Sequence, residues 1–121
     1  MIVKTNKAVY GIDEPVTVVI TNVSRSPITL FSGGFLCTVV RLEQRTSQGW
    51  VALDNCLRVS VPIPEALAPG AKRTLTFPLK SEPGGAAGLP RGRFRFAVMF
   101  EADLQKGGQE SVAYSDPFMV R

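Results

Sequence analysis

The chain has 121 residues, of which 45% are hydrophobic and 20% charged, enough apolar surface to order one domain over residues 1–121 and too much for a disordered chain. It contains no histidine and two cysteines, so Ser-His-Asp triads, Cys-His dyads, His-ligated zinc and haem-ligating histidines are excluded together. The 14 Lys and Arg against 10 Asp and Glu give a net charge of +4, but no basic run is longer than Lys72-Arg73, which predicts a solvated surface and no nucleic-acid partner.

The N-terminal Met1-Ile2-Val3-Lys4-Thr5-Asn6-Lys7 lacks the basic region, apolar stretch and small-residue cleavage site of a secretory signal. Residues Ile2–Val3 and Ala8–Tyr10 form a broken first strand, and Gly11-Ile12-Asp13-Glu14-Pro15 turns into a second. From Glu14 to Asn22 the alternation of Val16, Val18 and Ile20 with Thr17, Val19 and Thr21 is β-branched and half-buried, the pattern of a strand. Ile28–Phe31 is the third strand, and Ser32-Gly33-Gly34 breaks it. Leu36–Arg45 follows, with Leu36, Val40 and Leu42 on one face and Cys37, Val39, Arg41 and Glu43 on the other. It ends in the hairpin loop Thr46-Ser47-Gln48-Gly49, and Trp50–Leu53 returns. The two prolines of Pro62-Ile63-Pro64 forbid a central strand there.

The turn Leu67-Ala68-Pro69-Gly70 opens a strand from Arg73 to Lys80. Glu82–Gly92, rich in glycine and proline, is a mobile loop. Phe94, Phe96, Val98 and Phe100 then point one way and Arg93, Arg95, Ala97 and Met99 the other, which predicts a central strand. After a loop at Leu104–Glu110, Val112–Val120 closes the domain, bent at Asp116-Pro117. Seven to eight short strands without a helical pattern predict an all-β, antiparallel β-sandwich. Its expected core is Val16, Val18, Ile20, Leu42, Leu75, Phe77, Phe94, Phe96, Val98, Phe100 and Phe118.

If the loop at 46–49 sets the register, Arg45 faces Trp50, Cys37 faces Arg58 and Cys56 faces Val39. Cys37 and Cys56 are then diagonal neighbours on one face, at about 7–8 Å. That is slightly long for a disulfide, which a bulge near Asn55 would shorten; two separate apolar thiols are the alternative. Neither lies in a Cys-x-x-Cys motif, and two cysteines alone cannot close a zinc site.

No serine sits in a Ser-x-x-Lys motif, and Glu101-Ala102-Asp103 lacks the further acids that calcium needs; neither catalytic residue, metal nor cofactor is expected. Gly84-Gly85-Ala86-Ala87-Gly88 lacks the Lys-Ser/Thr of a phosphate loop, and Asn22-Val23-Ser24 has only the spacing of a glycosylation sequon. Arg91, Arg93 and Arg95 alternate outward as a ladder beside Arg41, and Trp50 follows a hairpin turn; these four, Trp50 and the ladder arginines, are the candidate partner contacts.

Five segments together carry a family pattern: Glu14-Pro15-Val16-Thr17-Val18 ending in Thr21-Asn22, Gly49-Trp50-Val51, Leu67-Ala68-Pro69-Gly70, Leu89-Pro90-Arg91-Gly92-Arg93-Phe94-Arg95-Phe96, and Tyr114-Ser115-Asp116-Pro117-Phe118-Met119-Val120. In these the chain resembles bacterial immunoglobulin-like domains of exported proteins and lipoproteins. The resemblance implies an immunoglobulin-like sandwich, an extracytoplasmic location, and a non-catalytic role in binding a protein or cell-envelope component or in spacing another domain. The asparagine-ended strand, the Leu67–Gly70 turn and the Pro90–Phe96 strand entry also resemble the Bacillus-type intracellular proteinase inhibitors. That likeness implies the alternative of a cytoplasmic inhibitor presenting Glu82–Gly92. The sequence leaves the oligomeric state open.

Overall fold

The computed structural model describes residues 1–12, 14–32, 39–53, 63–77, 90–102 and 109–121. Among the described residues there is no helix and there are eleven strands: β1 (Ile2–Thr5), β2 (Val9–Tyr10), β3 (Val16–Thr21), β4 (Ile28–Ser32), β5 (Val40–Thr46), β6 (Gly49–Ala52), β7 (Ile63–Leu67), β8 (Lys72–Phe77), β9 (Gly92–Ala102), β10 (Gln109–Tyr114) and β11 (Phe118–Val120). The count exceeds seven to eight because the first and last runs are each divided where pairing changes, and because Ile63–Leu67, not counted as a strand from the sequence, pairs with β4 as β7. The first strand, for instance, gives β1 to one sheet and β2 to the other.

A three-stranded sheet runs β1-β3-β8, and the other eight strands form the second sheet around β9. As its alternation predicts, β9 is central: β10 and β11 pair along one side of it, β4 and β5 along the other. β7 adds to β4 and β6 to β5. Pairing is antiparallel except that β2 lies parallel to β11, a correction to the all-antiparallel expectation. The chain crosses from one sheet to the other between β1 and β2, so β2 arrives running in the direction of β11. Pro64 sits in β7, an edge strand, the place in a sheet that tolerates proline.

The two sheets share one core in a sandwich-like layering. Val16, Val18 and Ile20 from β3 meet Phe94, Phe96 and Val98 from β9, with Leu42 and Phe118, and all are buried. Leu75 and Phe100 are half-buried against that cluster, since β8 is an edge strand and Phe100 lies near the end of β9. The side chain of Phe77 is outside the described residues. Val39, expected on the outer face, is buried because it precedes the regular ladder of β5. Phe118 is the hub of the aromatic centre: its ring lies 5.3 Å from Phe96, 5.9 Å from Phe94 and 5.5 Å edge-on from Tyr10. Between Tyr114↔Ala97 and Phe118↔Phe94, residues 115–117 stand opposite only 95 and 96. This is the expected bend at Asp116-Pro117: a bulge whose Ser115 hydroxyl accepts the Phe96 N–H at 2.9 Å and thereby fills the gap in the ladder.

One polar residue ties the layers together. Asn22, 1% exposed at the end of β3, donates from Nδ2 to the Ser26 carbonyl at 2.9 Å and to the Leu67 carbonyl in β7 at 3.0 Å. Its Oδ1 accepts the Ser24 N–H at 3.0 Å and the Ser24 hydroxyl at 2.6 Å. Its backbone carbonyl accepts the Gly70 N–H at 2.7 Å, in a turn where Pro69 and Gly70 (φ +76°) fit type II geometry. Both amide protons are thus engaged in the interior, so the sequon spacing at Asn22-Val23-Ser24 is a structural device. At the open side of the sandwich Glu65 of β7 and Arg73 of β8 meet across the sheets, Nε to Oε1 2.9 Å, as a charge contact off the hydrogen-bonding direction. Charges turned inward at two edge strands discourage further pairing there.

Candidate functional site

The outer face of the large sheet carries the arginines and aromatics of interest because alternation along β9 sends every second residue away from the core. Arg95 is the centre of this face. Register places it opposite Glu43 of β5, and its Nε reaches Glu43 Oε1 at 2.6 Å, both side chains being mostly covered. Its guanidinium lies 4.5 Å from the Trp50 ring centroid and 3.9 Å from that of Tyr114. Trp50 projects from β6, where the hairpin register sets it opposite Arg45, as the sequence predicts; Arg45 is 5.7 Å from the same ring. The contacts pre-orient Arg95 and hold two aromatic rings at fixed places on an open sheet.

The wider face is partly apolar. Tyr114 is 49% exposed, Val112 45%, Val9 42% and Met119 37%, all projecting from the outer sides of β10, β2 and β11. Trp, Tyr, Met and Arg are the residue types enriched at protein interfaces.

Of the four candidate contacts, the structure brings Trp50 and Arg95 together and puts Arg93 on the same face. Arg91 is exposed just before β9 begins at Gly92. Tyr114, Arg45, Glu43 and Met119 belong to the face as well. Tyr114 was hard to reach from sequence because its position beside Ala97 depends on pairing across the 103–108 segment; the signal available was its parity with Val112. Cys37 and Cys56 lie outside the described residues, and so does most of the Glu82–Gly92 loop.

Elsewhere, Glu14 bonds Lys7 and accepts the Gly11 N–H at 3.1 Å; the lysine first, then that N–H, lowers its pKa. An open cleft where β1 crosses to β2, beside Asp116-Pro117, is lined in part by Lys7, whose charge Glu14 already meets. Among the described residues no three metal-ligating side chains gather, and no helix is long and apolar enough to cross a membrane.

No protein-family model matches the chain. No curated protein matches it in sequence. Among solved structures it is similar to the Pseudomonas fluorescens alkylpurine DNA glycosylase AlkC bound to DNA containing an abasic site analog, with 13% identity and a TM-score of 0.47. The match covers 99% of this chain and spans 30% of that one, and a likeness so distant carries no statement about fold or activity.

Proposed function

We propose that the chain is a non-catalytic immunoglobulin-like module of an exported bacterial protein, and that it engages a protein or cell-envelope partner through the outer face of its large sheet. The observation that carries this reading is Arg95, held between Trp50 and Tyr114 on a face that also exposes Val9, Val112 and Met119. A surface with no partner has little reason to fix an arginine between two rings and leave large apolar side chains in water beside it. The split first strand, with β1 in one sheet and β2 parallel to the last strand in the other, supports the immunoglobulin-like topology.

Site-specific photo-crosslinking in the producing cells tests the reading. A photoreactive residue in place of Val112, on this face, is expected to yield a discrete adduct that Arg95→Ala weakens strongly. One in place of Thr74, exposed on β8 of the small sheet, should yield none. Equal labelling from both positions, or none from either, would refute the binding reading and leave a spacer.

A further inference from the structure

Register aligns outer-face residues of β2, β11 and β9 in one short row and those of β5 and β6 in another, and the two rows meet past the end of the β5–β9 ladder. Val9 of β2 faces Met119 of β11, Met119 faces Arg93 of β9, and Arg45 of β5 faces Trp50 of β6. The β5–β9 ladder ends at Gln44 opposite Phe94, so Arg45 and Arg93 are the next residues of their strands past that end, both on the outer face. Two exposed arginines therefore follow the last pair of the ladder on the same face, a placement of like charges that costs stability in a sheet. Glu43, the outer-face carboxylate two residues before Arg45 on β5, is held by Arg95 at 2.6 Å, and neither Arg93 nor Arg45 has a salt bridge among the described residues. The row is thus a cationic centre between two apolar ends: Trp50 on one side, Met119 and Val9 on the other.

We propose that this row binds an extended acidic segment of a partner protein, lying across the strands with one carboxylate side chain over Arg45 and Arg93 and an apolar side chain at each end. The proposal rests on the binding reading above and adds the chemistry of the partner. Spacing sets the pattern. From β6 to β11 are three strand intervals, about 14 Å at roughly 4.8 Å each. An extended chain covers that distance in about four residues, and every second residue points to the same side. The matching sequence is apolar, any, acidic, any, apolar. The carboxylate would relieve the repulsion between the arginines while accepting charge-assisted hydrogen bonds from both. A nucleic-acid strand fits less well, because the charged centre is bounded by apolar groups where a phosphate backbone needs a continuing basic track.

The test titrates the isotope-labelled full chain with the peptide acetyl-Leu-Thr-Glu-Thr-Phe-amide and follows backbone and indole amide signals. Shifts are expected at Arg45, Arg93, Met119 and the Trp50 indole, with binding about tenfold weaker for the Gln-containing peptide, for Arg93→Gln and at high salt. Arg93→Gln should also raise Tm, because it removes the like-charge pair; an arginine kept for stability would lower it. Equal binding of the Glu and Gln peptides, or shifts confined to other surfaces, overturns the proposal. Tighter binding of a short oligothymidylate at the same residues overturns it in favour of nucleic acid. If the peptide leaves the row silent while Val112 still crosslinks a partner, the acidic chemistry falls and the binding face stands; if both are silent, both fall.

Discussion

Replacing Asn22 by Ala should destabilise the domain more than any exposed substitution. Four side-chain hydrogen bonds disappear, and the Leu67 carbonyl is left in the interior without its donor. An unsatisfied buried carbonyl costs about 1–3 kcal/mol, and the three bonds nearer solvent, partly replaced by water, add roughly 0.5 kcal/mol each. The total is about 3 kcal/mol, which for a domain of this size lowers Tm by roughly 10–15 °C. Asn22→Asp should cost at least as much despite its matching shape, since a carboxylate would face the Ser26 and Leu67 carbonyls without a proton to donate. Ser24→Ala removes only the ends of the network and should cost about 1 kcal/mol. Circular-dichroism melts and urea titrations of the three variants measure these differences. A Tm within about 3 °C of the parent for Asn22→Ala would refute the view that this side chain joins the sheets.

Other outcomes follow from the same contacts. Phe118→Ala empties the aromatic hub and should cost about 3–5 kcal/mol in urea unfolding, with Phe118→Leu costing clearly less. Because Glu14 has a lowered pKa when folded, its contribution is present above the ordinary glutamate range and is lost as pH falls through the folded value; the Tm gap between parent and Glu14→Gln should therefore close in acid. Arg95→Ala should alter the emission of Trp50, the single tryptophan, and lower Tm, because it leaves the mostly covered Glu43 carboxylate without its partner, as fluorescence and melts on the same samples will show. For an exported module, intact-mass alkylation with and without reductant should find Cys37 and Cys56 bridged; two free thiols in freshly purified protein would point to the cytoplasm.

Strand identity was legible wherever alternation is unbroken, as in β3 and β9, because a period of two has one structural meaning when the residues are β-branched or aromatic. The Arg45–Trp50 pairing was legible too, since a short hairpin loop fixes register locally. What stayed hidden depends on contacts distant in sequence. The burial of Asn22 follows from Leu67 lying in the facing sheet, 45 residues away. The row from Val9 to Trp50 requires five strands to be aligned at once, and the sequence supplies only the local hairpin. Even so, the outward placement of Arg93 and Arg95 was legible, because parity assigns a face before pairing assigns neighbours.

The parallel run of β2 beside β11 has a mechanical consequence. Ala8 and Tyr10 carbonyls accept the Met119 and Arg121 N–H groups, both at 2.9 Å. If tension draws the first strand backward and the last strand forward, these bonds are loaded side by side in shear and must yield together, whereas an antiparallel pair pulled open from its end would unzip one bond at a time. The aromatic hub of Phe118 lies directly under this seam and must slide with it. A domain strung between a surface and its neighbours would, by this geometry, extend abruptly above a threshold force and hold its shape below it.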